Sequence, residues 1–104
     1  MDFNNTVNRS LQIRKAYHKL EKKYHGSEWT VEEDALAFLT DAALVGRLAM
    51  ANQERWPAGP DSETDLEHKI AESFWWLMVL AERMDIDSGQ ALENFLKKKE
   101  EQFL

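Results

Sequence analysis

The sequence predicts an all-α fold, a four-helix bundle formed by a single domain over residues 1–104. Glycine and proline are scarce, with four and two in 104 residues. Apolar residues recur at helical spacing, and the alternation typical of strands is missing. Helix-capping residues precede three of the periodic segments. A composition that is 43% apolar and 31% charged is also ordinary for a globular protein.

The first two helices follow from periodicity and end signals. The first is expected over residues 5–24, where an apolar stripe recurs every three or four residues. The stripe consists of Ile13, Ala16, Tyr17, Leu20 and Tyr24, and Val7 and Leu11 extend it. Gly26 is expected to end this helix. Thr30 and Glu33 have the spacing of a capping box, so a second helix is expected from about Val31 to Asn52.

A loop and two further helices complete the fold. The segment Trp56-Pro57-Ala58-Gly59-Pro60 is expected to be a loop, because proline lacks an amide donor and clashes with a preceding helical turn. Thr64 and Glu67 repeat the capping-box spacing and predict the start of the third helix. Asp87 and Gln90 predict in the same way a fourth helix, which continues towards the C-terminus.

The third helix carries more apolar surface than one bundle core needs. From Phe74 to Leu80 the sequence reads FWWLMVL, which leaves no polar face. A chain of 104 residues also buries a modest share of its surface when it folds alone. We therefore expect a homo-oligomer, in which a second copy covers this surface.

Charge and composition exclude several function classes. A net charge of −6 repels phosphate backbones, and no basic recognition helix is present, so nucleic-acid binding and a helix-turn-helix regulator are disfavoured. Without cysteine there are no disulfides and no thiolate-bound zinc. The longest apolar run, Phe74 to Ala81, is too short to span a bilayer. These features predict no membrane partner and a cytoplasmic location.

Acidic residues next to apolar faces predict a metal site. These residues are Glu33, Asp34 and Asp41 on the second helix, and Glu67 and Glu72, together with His68, on the third. Glu33 and Asp41 lie about two helical turns apart, and His68 and Glu72 about one turn apart. If these helices pack antiparallel, their carboxylates converge and offer the oxygen ligands that Mg²⁺, or Mn²⁺, prefers. Pattern alone leaves a second interpretation open, in which these acids are solvated and Glu33 serves only as a helix cap.

The third helix and the residues after it read KIAESFWWLMVLAERMDIDSGQALENFLKKKEEQ. Mainly through this segment, the chain resembles from Trp29 to the C-terminus the MazG-like, all-α nucleoside triphosphate pyrophosphohydrolases. This segment is similar to the family pattern of acid-x-x-Asp, an aromatic-rich helix, a short break like Gly-Ile-Asp, then Ala-Leu and a last helix with lysines. The segment FLTDAALVGRLAM falls where the family has Glu-Glu-x-x-Glu followed by leucine. Members of the family form dimers or tetramers.

Both family motifs are altered in this chain. The acid-x-x-Asp motif falls on Lys69 and Glu72, so a lysine replaces the first acid. The Glu-Glu-x-x-Glu motif falls on Thr40, Asp41 and Leu44, so one acid of three remains.

The resemblance implies magnesium-dependent hydrolysis of a nucleoside triphosphate to the monophosphate and pyrophosphate. Asp41 and Glu72 are then the catalytic acids and metal ligands, with Glu33 and His68 as replacement ligands. The alternative is a non-catalytic module, derived from such an enzyme, that binds a nucleotide or a protein partner.

Three further residues are candidates for nucleotide binding. Lys69 is a candidate to contact phosphate as a point charge. Arg47 lies one and a half turns beyond Asp41 and is a candidate phosphate ligand, although a surface ion pair explains it equally well. Trp76 is a candidate to stack on a base, with core or dimer packing as the alternative interpretation.

Overall fold

The protein is all-α, as predicted. The computed structural model describes residues 1–57 and 59–104. It has four helices, α1 (Phe3–His25), α2 (Val31–Asn52), α3 (Ser62–Arg83) and α4 (Ser88–Phe103). No strand occurs in these two described ranges. Trp56, Pro57 and Gly59 lie outside any helix, as expected for the predicted loop, whereas Ala58 lies outside the described residues.

The chain forms two compact units. The terminal unit consists of Met1–Glu28 and Met78–Leu104, and therefore contains α1, the end of α3 and α4. The central unit is Trp29–Leu77 and contains α2 and the larger part of α3.

Most helix ends lie where the local signals predict them. Gly26 ends α1 with φ at 78°, a left-handed conformation that glycine adopts without a steric penalty, and its amide donates to Lys22 O. At the start of α2 the amide of Thr30 donates to Glu33 Oε1 over 2.9 Å, and the amide of Glu33 donates to Thr30 Oγ1 over 3.2 Å. Asp87 caps α4 by accepting a hydrogen bond from the amide of Gln90.

The predicted cap of α3 is wrong. The helix begins at Ser62, so Thr64 and Glu67 both lie inside it and do not form a capping box. The first turn forms earlier because the amide of Asp65 already donates to Asp61 O over 2.9 Å.

Helix α1 is confirmed, but the face that it buries is polar. Its buried residues are Ser10, Arg14 and Glu21. The predicted apolar stripe is largely exposed, with Ile13, Tyr17, Leu20 and Tyr24 at 47–68% of their full accessibility. Arg14 Nη1 donates to Glu21 Oε2 over 2.7 Å, and this pairing compensates the burial of two charges.

Few apolar side chains are buried. In the described part of the chain they are Trp76 in the central unit and Val79 and Leu80 in the terminal unit. Every residue from Gln90 to Leu104 is exposed, including the apolar stripe of α4. Much of the apolar side-chain surface in the described part of the chain is therefore exposed.

None of the four helices, over the residues described, is both long enough and apolar enough to cross a bilayer.

The capping difference between Thr30 and Thr64 gives a test with a matched control. We expect Thr30→Ala to lower the free energy of unfolding by about 1 kcal/mol, because it removes a cap. Thr64→Ala should be neutral or slightly stabilising, because alanine favours a helix and no cap is lost. Urea unfolding followed by helicity, at one protein concentration, measures both. Equal losses in the two variants would contradict the assignment.

Candidate functional site

The candidate site lies in the central unit, where α2 and α3 face each other. Asp41 occupies the middle of α2. Lys69, Glu72 and Trp76 follow one another on α3 at spacings of three and four residues, which places them on one face of that helix. The helical periodicity of both segments therefore positions all four side chains.

A lysine ammonium joins the two carboxylates. Lys69 Nζ donates to Asp41 Oδ1 over 3.0 Å and to Glu72 Oε1 over 2.9 Å. The second oxygen of Asp41, Oδ2, accepts a hydrogen bond from Trp76 Nε1 over 2.9 Å. Each carboxylate oxygen of Asp41 thus has its own donor, and Asp41 links to two positions on the neighbouring helix.

The electrostatics keep this lysine charged. The hydrogen bond to Glu72, followed by that to Asp41, raises the pKa of Lys69 above its ordinary value, against a smaller opposing effect of burial. Both carboxylates favour the ammonium form. The stabilisation that this charge provides is therefore fully present at neutral pH and is lost only as the pH rises through the raised pKa. Two acids and one lysine leave a formal charge of −1.

This arrangement does not fit a divalent cation. Two carboxylates satisfy the protein's share of a magnesium shell, because the ion keeps several waters. Here, however, Lys69 Nζ lies within 3.0 Å of an oxygen of each acid, where a bridging ion would have to lie. Within residues 1–57 and 59–104, no group of three or more histidine, aspartate or glutamate side chains is arranged to hold a metal.

Two predicted metal ligands have other roles in the structure. Glu33 forms the capping box of α2 and uses Oε1 for the amide of Thr30. His68 is 71% exposed at its side chain, and its Nε2 lies 3.8 Å from Glu72 Oε1. The structure therefore brings together Asp41 and Glu72, keeps His68 at the outer edge of the site and leaves Glu33 at the helix start.

The predicted nucleotide-binding residues are already engaged. Lys69 binds two acids, and the guanidinium of Arg47 lies over the ring of Trp56, 4.5 Å from its centroid. Trp76 is only 6% exposed and contacts Trp75 edge to face, with ring centroids 4.8 Å apart. A buried ring of this kind is more typical of a core than of a base-stacking surface.

Sequence reasoning did not anticipate the burial of Asp34. This residue is fully buried and lies seven residues before Asp41, two turns along the same face of α2. The seven-residue spacing between Asp34 and Asp41 was the sequence signal that could have indicated this burial. Charge alone would have placed Asp34 in solvent, as it would most aspartates.

Comparison with known proteins found no match: no family model, no curated protein and no solved structure is detectably similar to this chain.

Asp41 accepts hydrogen bonds from Lys69 and Trp76, whereas Glu72 accepts one from Lys69. We therefore expect substitution of the two acids to lower the free energy of unfolding by different amounts. Asp41→Ala removes an acceptor from both Lys69 and the buried Trp76, so we expect a loss of about 2 kcal/mol in the free energy of unfolding. Glu72→Ala removes one partly exposed ion pair and should cost about 0.5–1 kcal/mol. Urea unfolding at pH 7 compares the two. A larger loss for Glu72→Ala would contradict the central role of Asp41.

Proposed function

We propose that this chain is a MazG-like helical module without metal-dependent catalysis, which acts by binding another protein surface, with a second copy of itself as the first candidate partner. The observation that carries this proposal is the position of Lys69 Nζ, within 3.0 Å of Asp41 and 2.9 Å of Glu72. The ammonium of Lys69 already supplies a positive charge between the two acids, so the site does not need a bound metal ion for its stability.

Charge explains why the lysine disfavours a metal. A divalent ion between the acids would have to displace the ammonium from two charge-assisted hydrogen bonds. The displaced ammonium of Lys69 would stay on the same turn of α3 as Glu72 and would repel the ion. The two hydrogen bonds that the ion would break are the ones that raise the pKa of Lys69, so displacement of the ammonium loses the stabilisation that they provide.

Exposed apolar surface favours a protein partner over a nucleotide. Lys69 and Arg47 are the cations suggested for phosphate, and the first is paired with acids while the second is stacked on Trp56. Large apolar side chains on all four helices are half exposed or more, including Leu39, Phe74 and Phe95. Burial of apolar surface is the main source of free energy in protein association. The resemblance, which implies a dimer or a tetramer, agrees with this choice.

The second candidate is a magnesium-dependent nucleoside triphosphate pyrophosphohydrolase. The observation that favours it is that Asp41 and Glu72, from different helices, both lie within 3.0 Å of one atom. The resemblance over residues 29–104 supports the same activity. For this candidate to hold, Lys69 must leave its two acids when magnesium and a nucleotide bind.

An assay of pyrophosphate release separates the two candidates. Purified protein is incubated with a panel of nucleoside triphosphates, with and without Mg²⁺ or Mn²⁺, as wild type, Glu72→Ala and Glu93→Ala. Glu93 is an exposed acid on α4 and serves as the matched control. We expect no metal-dependent release in any of the three proteins.

One pattern of pyrophosphate release would contradict this proposal. If the wild type and Glu93→Ala release pyrophosphate and Glu72→Ala does not, the site is catalytic and the non-catalytic module is wrong.

A further inference from the structure

Helix α1 is basic, in contrast to the chain as a whole. Residues 1–28 contain six lysines and arginines and three acids, whereas the whole chain has 13 lysines and arginines and 19 acids. This segment therefore carries a formal charge of +3 within a chain of net charge −6. Screening limits electrostatic attraction to about 8 Å at physiological salt, so a partner at the surface of α1 is attracted or repelled mainly by the local charge.

The acids of this segment are already engaged. Asp2 accepts a hydrogen bond from a backbone amide and caps α1. Glu21 binds the buried Arg14, and Glu28 Oε1 lies 3.2 Å from Lys22 Nζ. The remaining basic side chains are exposed and form no salt bridge within residues 1–57 and 59–104; they are Arg9, Lys15, Lys19 and Lys23. Four positive charges on α1 are thus available to a partner.

The apolar stripe of α1 forms a continuous exposed face. Its four large residues follow the spacing i, i+4, i+7 and i+11, which places them along one side of the helix. Each keeps 47–68% of its full accessibility, and the four are Ile13, Tyr17, Leu20 and Tyr24. Two of them are tyrosines, which are enriched at membrane–water interfaces because the ring is apolar and the hydroxyl is polar.

The positive charges lie along one edge of this stripe. With about 100° between successive residues, Arg9, Lys23 and Lys19 lie about 40°, 80° and 120° around the helix from Ile13, all in the same direction. The buried polar side of α1 lies in the opposite direction. Around the helix, a buried side is therefore followed by an exposed apolar side and then by an exposed basic side.

This arrangement is typical of a helix that lies in the plane of an anionic membrane surface. The apolar side chains of such a helix enter the boundary between headgroups and acyl chains, while lysine and arginine reach the anionic headgroups. The shortness of the apolar runs argues against a helix that spans the bilayer, and it has no bearing on a helix that lies along the surface.

Other anionic partners fit this surface less well. An acidic protein would need a groove shaped to receive four projecting side chains, whereas a fluid lipid surface adapts to them. Nucleic acid binds mainly through its phosphates, and Ile13 and Leu20 at the centre of the face offer a phosphate no hydrogen bond or charge.

We infer that α1 binds anionic phospholipid surfaces, with the stripe from Ile13 to Tyr24 in the headgroup region and Arg9, Lys19 and Lys23 on the anionic headgroups. The inference goes beyond the proposed function and does not depend on it, because α1 lies outside the central unit that contains the candidate site.

Co-sedimentation of the full chain with lipid vesicles tests this inference. The vesicles are phosphatidylcholine alone or phosphatidylcholine with about 30% phosphatidylserine. We expect the wild type to bind the vesicles with phosphatidylserine at least about 10-fold more tightly, and salt to weaken this binding.

Two leucine substitutions locate the binding surface. Leu20→Glu places a charge in the apolar stripe and should weaken binding about 10-fold or more. Leu39→Glu is the matched control, because Leu39 on α2 is 62% exposed and the substitution changes the net charge equally. We expect Leu39→Glu to bind like the wild type. Circular dichroism checks that each variant keeps the wild-type helicity, and Leu20→Ser provides a second substitution if Leu20→Glu does not fold.

Several outcomes would overturn the inference. They are a wild type that does not sediment with the phosphatidylserine vesicles, equal binding to both kinds of vesicle, and equal losses in Leu20→Glu and Leu39→Glu. Binding of the wild type to soluble polyglutamate but to neither kind of vesicle would overturn it in favour of an acidic protein as the partner of α1.

Discussion

The ammonium of Lys69, held between Asp41 and Glu72, is the interaction on which the central unit depends. It links the middle of α2 to one face of α3, and Trp76 adds a second link through the other oxygen of Asp41. The ammonium of Lys69 also occupies the position between the two acids where a metal ion would have to bind. Two carboxylates that meet at one point are suited to a divalent cation, but here a lysine lies between them and offsets one of their two charges.

The distribution of apolar residues provides a second, independent constraint. Three buried apolar side chains in the described part of the chain are very few for 104 residues. Meanwhile α1 buries an ion pair and exposes its apolar stripe. Free energy of folding from apolar burial is therefore limited within one chain, and association with another copy would supply more of it.

Local features of the fold were predictable from the sequence, and features that depend on packing were less so. Periodicity predicted the four helices, and Gly26, Thr30 and Asp87 predicted their ends, because caps are made within one turn. The start of α3 was missed, because Asp61 begins the turn before Thr64. The meeting of Asp41 with Glu72 was inferred from helix faces. The position of Lys69 between these two acids depends on the distance between α2 and α3. Residue spacing along a single helix gives no information about that distance.

The most direct test of this account is a crystal structure of the protein soaked in millimolar Mn²⁺, with anomalous scattering measured near the manganese edge. We expect Lys69 Nζ to be in hydrogen-bond contact with both Asp41 and Glu72, and no anomalous peak to lie between them. An anomalous peak within about 2.2 Å of both carboxylates, with the lysine displaced, would contradict it.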